Sequence, residues 1–197
     1  MGLENNSGGG NKKFITIVGG KWTVRVPEGT ERAVARELKK GPNAGSLVFE
    51  NYYDRLSGNV VSGQVRTGDY GTDLCLDLED DGVVYNVQMP CDSDYFRTFA
   101  KCCEGIDLDK ELVLGIGVPK GDGFPYLYVQ QDDAGLKSKY TKDEPNGMPS
   151  WEKKEEMGKV KWDKTEQNNF CYGLAVDFLA RVEDKLMDAE CDGNCTL

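Results

Sequence analysis

The clearest chemistry in this sequence lies in aromatic rings interleaved with cations. Lys21 and Trp22 precede Arg25, Tyr52 precedes Arg55, Arg66 precedes Tyr70, and Tyr126 alternates with Tyr128. Lys39 and Lys40 sit in a loop between these stretches, and Lys137, Lys139 and Tyr140 close the series. Unpaired bases expose π-faces that stack on such rings for about 1–3 kcal/mol each, while cations follow the phosphates. These residues are the candidate site for single-stranded nucleic acid, DNA in the first place, bound with little sequence preference. Tyr126 and Tyr128 are two apart, so both point to one side of a strand, and they form a platform if Leu127 faces the core. The competing account is that rings in strands are core, which would claim Trp22, Phe49, Tyr53, Tyr85 and Phe124.

Catalysis is not expected. The chain has no histidine, so neither a Ser-His-Asp nor a Cys-His arrangement can be assembled. Asp69, Asp73, Asp77, Glu79, Asp80 and Asp81 offer carboxylates for two metal ions in principle. Yet Asp73, Asp77 and Glu79 share one strand face opposite leucines, where a solvated polar face is the default. Gly115-Ile-Gly117 and Gly121-Asp-Gly123 do not open a helix, so no phosphate cradle is formed. Seven cysteines without a C-x-x-C pair read as reduced thiols rather than zinc ligands or a disulfide framework. Neither a metal nor another cofactor is expected.

A net charge of -10 argues against a protein that coats nucleic acid with its whole surface. The distribution is uneven, because ten basic residues face six acidic ones between Lys12 and Tyr70 while the remainder is strongly acidic. That asymmetry suggests a local anionic partner. The alternative from a different class is an acidic phage inhibitor that mimics DNA and blocks a host nuclease, although a mimic gains nothing from a basic face.

These residues need elements to hold them. Trp22-Thr-Val-Arg-Val26 reads as a short strand at an edge, and residues 30–45 as turn chemistry around a basic loop. Residues 46–66 read as one long strand bent at Ser57-Gly58, which lets it serve two sides of a barrel. Leu74, Leu76 and Leu78 alternate with polar residues, Asp80-Asp81-Gly82 signals a hairpin, and residues 83–89 are its partner. A helix follows over residues 92–103 with Asp92 or Ser93 as cap, then strands over residues 111–118 and 124–130. Residues 136–149 show no regular pattern. Asp163 caps a last helix, with Glu166 reaching back, whose Phe170, Leu174, Phe178, Val182 and Leu186 make a stripe for the barrel or a second copy.

Three strands, a helix and two strands in that order predict an all-β fold with additions. The expected form is a five-stranded Greek-key OB barrel with the helix between strands 3 and 4, an extra N-terminal strand and a C-terminal helix. The expected divisions are a disordered leader over 1–20, the barrel domain with extensions over 21–162, the C-terminal helix over 163–188 and an acidic tail over 189–197. No run approaches the roughly 20 apolar residues of a membrane span, and the first ten residues lack the features of a signal or transit peptide. A cytoplasmic protein is expected.

Gly20-Lys-Trp-Thr-Val-Arg-Val26, Tyr53-Asp-Arg-Leu-Ser-Gly58, Asp69-Tyr-Gly71, Gly105-Ile-Asp-Leu-Asp109 and Lys161-Trp-Asp-Lys-Thr-Glu-Gln167 together resemble bacteriophage single-stranded-DNA-binding proteins. The resemblance spans roughly residues 20–167. It implies an OB fold, protection of single strands in replication or recombination within the bacterial host cytoplasm, and recruitment of replication or recombination proteins through the acidic C-terminus. The end Asn194-Cys-Thr-Leu197 departs from the family pattern, lacking its terminal aromatic residue.

Overall fold

The Asp81-Gly82 turn shows how directly local sequence becomes structure. Both residues take positive φ, 48° and 74°, as a two-residue hairpin of the type I′ kind requires. They join strand β6 (Gly71–Asp80) to β7 (Val83–Pro90) in antiparallel register, with Asp80 opposite Val83. The structure is a computed structural model that describes residues 12–39, 41–69, 71–119, 123–156 and 158–193, the side chains of 156 and 189–193 excepted.

Ahead of this hairpin come β1 (Lys12–Val18), β2 (Lys21–Val26), β3 (Val34–Glu37), β4 (Leu47–Tyr53) and β5 (Arg55–Gly68). After it come helix α1 (Asp94–Ala100), a single 3₁₀ turn at Cys103–Gly105, β8 (Leu112–Gly117), β9 (Tyr126–Gln131) and the two-residue β10 (Ala134–Gly135). A separate hairpin of β11 (Glu152–Glu156) and β12 (Lys159–Asp163) leads into helix α2 (Thr165–Gly193). Ser93 caps α1, its Oγ accepting from the Phe96 N–H at 3.1 Å. Asp163, the last residue of β12, accepts from the Thr165 N–H at 2.9 Å, one position ahead of the expected cap site, which Lys164 occupies. Among the described residues, no helix is long and apolar enough to cross a membrane.

The expected five-stranded closed barrel is not what forms. Ten strands make one open mixed sheet in the order β10-β9-β8-β5-β6-β7-β1-β2-β4-β3. A closed barrel would need the free edge of β7 for its last strand. Here β1 takes that edge in parallel register, Lys12 opposite Val84 and Ile15 opposite Val87. Strand order along the chain does not reveal that occupant, because the sequence reads Lys12–Val18 as part of the leader at 1–20. Residues 1–11 lie outside the described residues. The Trp22 strand is consequently interior, flanked by β1 and β4, and not an edge.

The long bent strand does serve two partners, although a break at Asp54 divides the expected segment into β4 and β5. Residues 55–58 of β5 pair with β8, and residues 59–68 pair with β6. Gly58 stands at the handover, where an added Cβ would lie 2.8 Å from the Glu79 carbonyl oxygen. No larger side chain fits that approach. The curl brings Leu56, Leu112, Leu114, Leu127 and Val129 into one core with Leu74, Leu76, Leu78, Val87 and Met89. Helix α1 fills the space between β7 and β9 with buried Phe96 and Phe99, and α2 lies across α1 and β5.

The seam of α2 is Cys171, Ala175, Phe178 and Val182, while Leu186 is 38% exposed. A strict repeat of four turns 400° per step, so its members drift about 40° each around the helix. Five such residues cannot share one stripe. The seam that forms corrects the drift with a single step of three, from Ala175 to Phe178.

Candidate nucleic-acid interface

Strands β8 and β9 pair so that Gly115 faces Tyr128 and Gly117 faces Tyr126. A Cβ added at either glycine would collide with the ring of the facing tyrosine. Each ring therefore lies down across bare backbone, the arrangement by which an aromatic residue covers a cross-strand glycine. Tyr126 is exposed and Tyr128 half-buried. Leu127 and Val129, on the opposite side of β9, are buried in the core, so the condition for a platform is met. Phe124, just ahead of the strand, is 89% exposed.

The row across the sheet continues to a cation. Arg55 of β5 stands opposite Gly115 of β8, so Arg55, Gly115 and Tyr128 are successive positions on one face. Arg55 also borders a groove of about 480 Å³ whose walls include Lys13, Arg25, Asn51, Tyr53 and Tyr85. The registers explain the groove. Ile15, Trp22 and Val24 form its floor, and on the same face Tyr53 pairs with Trp22, Asn51 with Val24, and Lys13 with Tyr85. A core face thus runs out past its apolar end into tyrosines and cations. The Lys13 ammonium sits 5.7 Å from the centroid of the Tyr85 ring, within cation–π range. Burial, with Asp80 nearby, pushes the Tyr85 phenol above its ordinary value. Among the described charged groups lining the groove, Lys13, Arg25 and Arg55 face a single acid, Asp80.

Several sequence candidates fall elsewhere. Trp22 is fully buried, and its indole N–H donates to the Leu114 carbonyl at 3.0 Å. It is a core wedge between β2 and β8, not a stacking ring. Tyr52 lies on the opposite face of β4 from Tyr53, where its hydroxyl donates to Glu50 at 3.0 Å. Tyr140 is buried edge-on against Phe170, with ring centroids 5.2 Å apart. Lys139 pairs with Glu104 at 3.2 Å beside the helices, across β9 from the platform. Lys21 pairs with Asp54. Arg66, near Asp73, stands at the far end of β5. Lys39 and Lys137 are exposed away from the groove lining, and Lys40 and Tyr70 lie outside the described residues. The structure therefore assembles Arg55, Tyr126 and Tyr128 and adds Lys13, Tyr53 and Tyr85, while Arg25, opposite Glu50 on the other face of β2, only borders the groove.

Two of the carboxylates offered as metal ligands are tied into local hydrogen bonds. Asp77 accepts from Lys12, Ser62 and Asn86 at 2.8, 2.6 and 2.6 Å, and Glu79 accepts from the Gly82 N–H at 2.6 Å. Among the described residues, no group of three or more acidic or thiol side chains could hold a metal. The five described cysteines are free thiols, and burial raises the Cys91 thiol to about 11.

Beneath the basic region, Glu50 is buried and accepts two bonds from Arg36, at 2.7 and 2.5 Å. That pairing, with Tyr52 as a further donor, holds its carboxyl below the ordinary value of 4.5. A carboxyl depressed on folding contributes stability above its unfolded pKa and loses it as pH falls through the folded value. Glu50→Gln is expected to cost about 1.5–3 kcal/mol at neutral pH. Urea midpoints measured downward from pH 6 should show the gap to wild type closing below 4.5; a gap independent of pH would contradict the assignment. In comparison with known proteins, the chain matches no family model, no curated protein and no solved structure.

Proposed function

We propose that this protein binds single-stranded nucleic acid, with DNA as the expected form, by stacking bases on Tyr126 and Tyr128 and holding phosphates with Arg55, Arg25 and Lys13. One observation carries the reading: two tyrosine rings on one face of β9 cover cross-strand glycines, and one of them, Tyr128, shares its row with Arg55. Duplex DNA has its bases stacked internally and cannot use such faces. The role that fits is protection of exposed single strands in replication or recombination, as in the phage proteins the sequence resembles, in a host cytoplasm. Recruitment of other replication or recombination proteins by the acidic C-terminus belongs to the same proposal.

The electrostatics favour one path for the strand. Glu111, Asp132 and Asp133 line a hollow on the other side of Arg55 and Ser57, where phosphates would be repelled. The strand accordingly runs from the platform past Arg55 toward Tyr53 and Tyr85. A DNA mimic explains the net charge of -10 but leaves the paired tyrosines and the cations beside them without a use.

Fluorescence anisotropy with labelled oligo(dT) and with a duplex of equal length tests the proposal. Oligo(dT) should bind tightly and the duplex weakly. With about three phosphates neutralised, log K should fall with log salt at a slope of about -2. Equal affinity for duplex, or no binding at low salt, would overturn it.

A further inference from the structure

Stacking on the platform leaves one feature of the adjoining groove unused. The Oδ1 atom of Asn51 is buried and has no hydrogen-bond partner, alone in this among the described side-chain polar atoms. Such an acceptor costs about 1–3 kcal/mol where it stands. Asn51 lines the groove and lies opposite Val24 of β2, beside the row in which Tyr53 faces Trp22. A half-turn about the last torsion of the side chain exchanges the oxygen and nitrogen of the amide, so the acceptor can meet an occupant without any backbone movement.

The surroundings specify the occupant. Tyr53 and Tyr85 supply aromatic walls, Ile15, Trp22 and Val24 an apolar floor, and Lys13, Arg25 and Arg55 positive charge at the rim. The volume of about 480 Å³ lies in the range of small-ligand sites and accommodates one planar heterocycle with its sugar. Arg55 joins the groove to the row that carries Tyr128, so a strand on the platform leads directly to it. We infer that the groove takes one base out of the stacked strand, holds it against Tyr53 and Tyr85, and reads an N–H on its pairing edge through Asn51. This rests on the single-strand reading. It adds a base-reading position to a surface that otherwise binds without regard to base order.

The test uses the full chain and two probes: oligo(dT), and the same strand with its thymines methylated at N3. Methylation removes the one N–H of the base and keeps ring, sugar and phosphate. Wild type should bind the methylated strand about tenfold more weakly, the worth of one hydrogen bond. Asn51→Leu should bind both strands alike. Asn51→Asp, which keeps an acceptor, should still discriminate, and it serves if the leucine variant fails to fold. Equal affinity of wild type for the two strands, or discrimination that survives in folded Asn51→Leu, overturns the inference. If Tyr126→Ala/Tyr128→Ala loses oligo(dT) while no variant alters discrimination, the base pocket alone has failed. If wild type does not bind oligo(dT), the reading beneath it has failed as well.

Discussion

Replacing Tyr126 and Tyr128 together by alanine should weaken oligo(dT) binding by about 2–6 kcal/mol, at about 1–3 kcal/mol for each stacked base. That is a loss from about 30-fold to about 10⁴-fold. The paired change to phenylalanine keeps both π-faces and should keep most of the affinity. Because each ring also covers a backbone glycine, the alanine variant will lose some stability, so circular dichroism must first show it folded. Full affinity in a folded alanine variant would mean that nucleic acid, if bound, lies on another face.

Trp22→Ala should be the most damaging single change to the fold. The ring is fully buried, and truncating a buried tryptophan costs about 3–5 kcal/mol through lost burial and the cavity left behind. The Leu114 carbonyl would also lose the indole donor. Trp22→Phe separates the two effects, since it restores much of the volume without the N–H, and should recover more than half of the loss. Urea unfolding measures both. A Trp22→Ala protein of unchanged stability but weakened oligo(dT) affinity would return this ring to the binding surface and refute its place as a wedge.

How much of this was legible in the sequence depended on the range of the signal. Period-two leucines, the Asp81-Gly82 turn and the Ser93 cap are local, and each produced the element expected. Gly58 was readable as a bend because a glycine in a strand has few other reasons to be there. The closed barrel was not recoverable, because it turned on which strand occupies the edge of β7, and that is a pairing between residues far apart along the chain. The same limit governed the site. Alternation places Tyr52 and Tyr53 on opposite faces, yet only the β2–β4 register shows that Tyr53 borders the groove while Tyr52 serves Glu50. Tyr126 and Tyr128 were legible because their strand has a clearly apolar other side. Their position over the neighbouring strand was signalled by Gly115 and Gly117, whose missing side chains leave the space the rings fill. Lys13 was missed with the leader, and Tyr85 because a ring between Val83 and Val87 looks like core.

The parallel seam between β1 and β7 has a consequence for synthesis. Chains emerge from the ribosome from their N-terminus, so β1 to β4 are complete well before Val84–Val87, the residues that β1 needs as a neighbour, have been made. During that interval Ile15, Trp22 and Val24 belong to a half-built meander with its greasy side uncovered. The nascent polypeptide therefore carries that apolar face until the later hairpin arrives and closes over what was made first.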